Sequence, residues 1–197
     1  MNINKEIKNV MVSIKDTNDE NTKDILKKRL GVMKFIKTAF MEFLTNDANF
    51  DKILKFKNAE NMPLYPSHVE KVKDKNDKEV EVTVFDQDMN ERIELLPKDV
   101  QQTIITEMVR VRGKNIDAYS KANRPELVEK EKFEYDVLSE FLPKEATEAD
   151  VMEYLNEYYP TGIEKKFMGK VINEVKSAFE RVNGGMVANC VKTKIVG

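Results

Sequence analysis

The residues that could do chemistry are few. Acidic side chains come in pairs at helical spacing, Glu126/Glu129 and Glu131/Glu134. Such pairs can act as acid and base or hold a cation, but only where burial or a charged partner shifts their pKa. Lys130 and Lys132 alternate with them, which is the pattern of a solvated helix face, so these carboxylates are expected to be exposed. Cys190 is the lone cysteine and His68 the lone histidine, far apart in sequence. A thiol nucleophile needs a base and a third group to orient it. Cys190 instead falls on an apolar stripe, where a free thiol packs as a small hydrophobe. His68, beside Pro66, reads as a loop residue. There is no phosphate-loop, dinucleotide or zinc-ligand spacing. No catalytic residue, metal ligand, cofactor or small-molecule site is therefore assigned, and an enzyme acting alone is the least expected reading.

Charge is more informative than motif. The net charge of −2 hides an acidic middle between basic ends. Residues 124–158 hold 11 acidic and 4 basic residues, whereas residues 159–197 hold 3 acidic and 7 basic. The seven are Lys165, Lys166, Lys170, Lys176, Arg181, Lys192 and Lys194. They could form an RNA- or partner-facing patch, with Lys165 to Lys170 near a helix N-terminus that also favours phosphate. The competing reading is ordinary surface charge. Tyr158 and Tyr159 could stack on bases, though packing is the commoner use.

Helices must position most of these groups. Ile3, Ile7, Val10 and Ile14 share one helical face. A second helix carries Leu26, Leu30, Met33, Ile36 and Phe40, with Asn21 and Asp24 read as its cap. It ends near "TNDANF". "MPLYPSH" cannot be helical. "EVEVTVF" alternates strictly, placing Val80, Val82 and Val84 on one side, and "HVEKV" and "RIEL" read as flanking strands. Two or three short strands are marginal alone and must lean on something. Residues 47–97 are therefore expected to contact protein partners or other copies through Val80, Val82, Val84 and Ile93. From Pro97 helices return. Asp99 with Gln102 reads as a cap, Pro125 as a helix first turn, and "TEAD" as a capping box. "NGG" reads as a helix stop. Val187, Cys190, Val191 and Ile195 form a last short stripe.

"ANRPELVEKEKFEYDVLSEFLPKEATEADV" resembles the central signature of the GatB/YqeY family. "FMGKVINEVKSAF" is similar to its Met-Gly-Lys-Val segment, "NGGMVANCVKTKI" to its terminal helix, and "RLGVMKFIKTAFMEF" to its N-terminal arm. The resemblance covers residues 1–46 and 98–197 and leaves 47–97 as a departure. It implies a mainly α protein: an N-terminal helical hairpin domain (1–46) and a YqeY-like helical region (98–197). That region would comprise long helices over 98–143 and a small helical tail domain over 144–197, with a short β-hairpin or three-strand insert at 47–97. The C-terminal part is similar to the tail domain of the Asp/Glu-tRNA amidotransferase B subunit, which contacts tRNA. Family members carry, by that similarity, the label of carbon–nitrogen ligases with glutamine as amide donor. The catalytic domains of such complexes have no counterpart here.

The expectation is thus a non-catalytic binding module, associated with tRNA or an amidotransferase. The alternative is a structural subunit of a larger oligomeric particle, such as a phage virion ring or head–tail component. No apolar run approaches the roughly 20 residues that span a bilayer. "MNINKEIKNVMVSIKD" has no signal-type apolar core, and a lone thiol fits a reducing compartment. The cytoplasm is expected, of the cell or of an infected host.

Overall fold

The first apolar stripe folds as α1 (Ile3–Asp16), whose N-terminus is closed by the Asn2 side chain accepting from the Lys5 N–H. It packs on α2 (Glu20–Thr45), which buries Met33, Ile36, Phe40 and Leu44. The cap of α2 is not Asn21 but Asp19, whose carboxylate accepts from the Thr22 N–H at 2.8 Å. A full negative charge suits the positive helix end better than an amide does. These elements come from a computed structural model that describes residues 1–196. Gly197, the last residue of the expected tail region, lies outside the described residues.

After α2 come a 3₁₀ turn at Asp47–Asn49 and the short α3 (Phe50–Ile53). The ribbon follows: β1 (Ser67–Lys73) pairs antiparallel with β2 (Glu79–Phe85), with Ser67 opposite Phe85 and Lys73 opposite Glu79. His68 therefore sits on a strand, not in a loop. "RIEL" is not a strand. It lies on α4 (Met89–Glu94), because Asp88 and Glu91 form a reciprocal capping box that starts a helix there. Ile93 is 1% exposed on that helix, so core packing removes it from the expected partner contact.

The helix α5 (Lys98–Lys121) begins after Pro97 with no side-chain cap, so Asp99 lies in its first turn rather than capping it. Asn123, at φ 52°, turns the chain into α6 (Pro125–Ser139), and Pro125 sits in the first turn as expected. Residues Met1–Phe141, with α1 to α6 and the ribbon, form one compact unit.

Leu142–Gly197 form the other. Thr147 and Asp150 complete the expected capping box on α7 (Glu148–Tyr158). Then β3 (Ile163–Glu164) pairs in parallel with β4 (Ile195–Val196), and α8 (Met168–Ala178) and α9 (Gly184–Thr193) lie between them. "NGG" starts α9 instead of stopping α8: the Asn183 side chain accepts from the Met186 N–H at 2.9 Å. Val151, Leu155, Val171, Val175, Val187, Cys190 and Val191 fill this unit's core. Among the described residues, no helix is long and apolar enough to cross a membrane.

Candidate functional site

A cleft in the first unit has a volume of about 630 Å³ and lies between α2 and α6. Gly31, Val32, Phe35 and Phe133 form its apolar wall, and Lys28, Glu126, Glu129 and Lys130 stand at its rim. Arg112 of α5 also lines it. Its Nε donates to Glu134 at 2.7 Å and lies 3.4 Å from Glu131. Its guanidinium carbon is 5.3 Å from the Phe35 ring centroid. The Asn115 side chain donates to the same Glu131 oxygen at 3.1 Å.

The pair Glu131/Glu134 is thus not the exposed face expected from the sequence, since the two side chains are 12% and 20% exposed. Glu131, Glu134 and Leu138 fall on the side of α6 that meets α5. Arg112 signals this in the sequence, because it continues the apolar series Ile105, Val109, Arg112, Ile116 at spacings of 4, 3 and 4. A cation on an apolar face needs an acidic partner across the helix pair. Both carboxylates are thus engaged by one guanidinium. The other acidic pair, Glu126 and Glu129, is exposed, and Glu126 lies 3.5 Å from Arg124.

His68 is held between Asp86 (3.0 Å) and Glu70 (2.9 Å), and those carboxylates, Glu70 first, raise its pKa above the ordinary value. Cys190 belongs to the other unit and is 2% exposed; burial raises its thiol pKa, which opposes nucleophilicity. Among the described residues, no group of three or more His, Cys, Asp or Glu side chains could hold a metal ion.

Nothing in the sequence around Arg92 marks it as buried. It is 8% exposed, donates to the Leu44 carbonyl at 2.9 Å and stacks 3.8 Å from the Phe85 centroid. It thereby closes the C-terminus of α2, where a cation offsets the helix dipole. The Tyr65 hydroxyl in turn donates to the Arg92 carbonyl. This guanidinium ties β2, α2 and α4 together and is structural.

In the second unit the structure separates the seven basic residues. Lys165 and Lys166 lie in a 3₁₀ turn that leads into α8, and Lys170 lies in its first turn. The α8 cap position is Phe167, whose side chain has no oxygen to offer the helix N–H groups. Gly169 has open space where a Cβ would stand. The Ile163 N–H donates to the Lys194 carbonyl at 2.8 Å, so β3–β4 pairing brings Lys194 close to this turn. Lys166 contacts Glu164 at 2.7 Å, and Lys170 is 3.6 Å from Glu174. Lys192 ends α9. Lys176 instead runs beside Gly184 at the start of α9, and Arg181 bridges the Pro143 carbonyl and Glu145, both at 3.4 Å. Arg181 is therefore occupied within its own unit.

Neither tyrosine is free for bases in a cationic setting. The Tyr159 hydroxyl donates to Glu174, which pushes its pKa up to about 12. Tyr158 is exposed, but it stacks on Tyr154 in a shallow concavity that also presents Asp150, Glu153 and Glu157.

The fold is mainly α with one antiparallel ribbon, as the sequence led one to expect. Within that class the chain belongs to the Yqey-like protein family, whose model matches residues 67–195. The match takes in the ribbon and α4, which the sequence resemblance sets outside the family region, and leaves out residues 1–66. No curated protein matches the chain.

Proposed function

We propose that this Yqey-like chain is a binding module without catalysis of its own, and that its C-terminal unit holds RNA backbone phosphates at the start of α8. The observation that carries this reading is the uncapped helix end flanked by Lys165, Lys166 and Lys170. The positive end of the helix dipole and the neighbouring ammonium groups favour an anion there. Gly169 lets a phosphate approach the backbone, and Phe167, 45% exposed, offers a ring beside it. The resemblance to the amidotransferase tail domain makes tRNA the natural class of RNA and an amidotransferase complex the natural setting. The pairing of Glu131 and Glu134 with Arg112, and the burial of Cys190, support the non-catalytic part.

The test is titration of the purified chain with labelled tRNA over a range of salt concentrations. Three or four phosphate contacts give a log–log salt slope of about −2 to −3. Lys165→Glu with Lys170→Glu reverses two charges and should abolish measurable binding, whereas Lys176→Glu, at the far end of α8, should change it little. Absence of binding at low salt, or binding indifferent to the Lys165/Lys170 pair, refutes the reading. Glutamine-dependent ammonia release by the isolated chain would overturn the non-catalytic part.

A further inference from the structure

The ribbon in the first unit has two open edges. Every residue of β1 is exposed, and Val69 is 62% exposed. The only strand β1 pairs with among the described residues is β2. Backbone parity shows which groups face outward. Asp86 N–H bonds to the Pro66 carbonyl (3.0 Å) and Asp74 N–H to the Lys78 carbonyl (2.9 Å), at the two ends of the ladder. Bonded pairs alternate in an antiparallel ladder, so the even-numbered residues exchange bonds inside the hairpin. The N–H and C=O groups of Val69, Lys71 and Lys73 then point away from β2, and those of Glu79, Glu81 and Thr83 point away from β1.

The charges on these two outer edges are opposite. Lys71 and Lys73 mark the edge of β1, and Glu79 and Glu81 mark that of β2. Lys73 already holds Asp77 across the turn at 2.7 Å, but no ion pair engages Lys71 or Glu81 among the described residues. We infer that the β1 edge of one chain takes the β2 edge of a second copy, antiparallel and in the register used within the hairpin. Val69 then faces Thr83 of the next copy, Lys71 faces Glu81 and Lys73 faces Glu79. Outward parity and charge are satisfied by the same register. Of the competing self-pairings, β1 on β1 centred on Glu70 or Lys71 sets like charges opposite, centred on Val69 it leaves Lys71 and Lys73 without a carboxylate opposite, and β2 on β2 brings together two acidic strands with no cation. Lysine at an edge usually keeps strands apart. Here Lys71 and Lys73 both meet carboxylates directly opposite only when the partner strand is β2.

Such a contact is head-to-tail. Its repetition gives a ring if the rotation closes and a filament if it does not. The inference is independent of the RNA reading, which concerns residues of the other unit.

Light scattering and sedimentation of the full chain over a wide concentration range test it. The mass should climb above the 22.8 kDa monomer in successive steps. Added salt should weaken association roughly tenfold, the scale of two exposed ion pairs. Lys71→Pro deletes an outward N–H that the hairpin does not use, so it should return the chain to monomer while the β2 amides stay protected. Lys71→Glu should also give monomer, and Lys71→Glu with Glu81→Lys should restore assembly. A wild-type chain that stays monomeric at every concentration refutes the inference, even if β1 captures a strand of another protein. So does an oligomer that survives Lys71→Pro, one that stops at a dimer, or a charge swap that fails to restore assembly.

Discussion

Replacing Arg112 by methionine isolates the charge cluster between α5 and α6. Methionine keeps most of the volume and the contact with Phe35, but it leaves Glu131 and Glu134 without their cation. The lost Arg112–Glu134 hydrogen bond, at 2.7 Å, is charge-assisted and is worth about 1.5–3 kcal/mol. Stranding a fully buried charge costs about 3–5 kcal/mol. These carboxylates retain 12% and 20% of their exposure, so water relieves part of that. Together these considerations put the loss at about 2–3 kcal/mol, which lowers the melting temperature by roughly 5–10 °C for a chain of this size. Urea unfolding followed by circular dichroism measures it. Adding Glu131→Gln and Glu134→Gln to Arg112→Met should then recover at least about half of the loss, since the stranded charges are gone. A cost of Arg112→Met within about 0.5 kcal/mol of zero would mean that the carboxylates are hydrated and the cluster is an exposed ion pair. If the glutamines recover nothing, the guanidinium acts by packing on Phe35, and the electrostatic reasoning is wrong.

Other groups give sharper local readouts. The His68 pKa is raised above 6.5, so its stabilisation of the ribbon is fully present below that pH and is lost as pH rises through the folded value. A proton-NMR titration should show the raised midpoint, and Glu70→Gln should lower it; an unshifted wild-type midpoint contradicts the geometry. Gly162 sits at φ 95°, where a Cβ would stand 2.5 Å from the Val196 side chain and 3.1 Å from the Lys194 carbonyl. Gly162→Ala should therefore destabilise by about 2–3 kcal/mol, and trimming Val196 to alanine should relieve only part of that. Cys190 should react with a disulfide reagent at least about a hundredfold more slowly in the folded chain than in denaturant, because it is buried and its thiol pKa is raised. Fast native labelling would show that the second unit opens readily.

The helices were legible where apolar residues recur at helical spacing. Ile3 and Val10, then Met33, Ile36, Phe40 and Leu44, are buried as their periodicity requires. The ribbon was legible because "EVEVTVF" alternates. What failed was the meaning of polar residues at boundaries. Asn183 and Gly184 can end a helix or begin one, and only the partner of the Asn183 side chain, the Met186 N–H, decides. Asp88 and Glu91 form a capping box as plain as Thr147 and Asp150, yet "RIEL" after it reads as a strand when its β-branched residue outweighs the cap. Arg92 could not be read as buried, because its stabilising groups are a carbonyl and aromatic rings that come from distant parts of the chain.

The acidic helix α6 shows how a family signature can mislead about chemistry. A run of carboxylates suggests either a reactive site or a solvated surface, and here it is neither throughout. Helical periodicity turns Glu131 and Glu134 toward α5, while Glu126, Glu129 and Asp136 stay exposed. The two inward carboxylates then fix the approach of α5 through Arg112 and Asn115, and Glu140 fixes α2 through a two-pronged pair with Arg29 at 2.6 and 2.8 Å. Paired, directional contacts of this kind specify register between helices that apolar stripes alone would let slide. The signature on α6 thus encodes how three helices lock together, and the two proposed interaction surfaces, the ribbon edges and the start of α8, lie outside it.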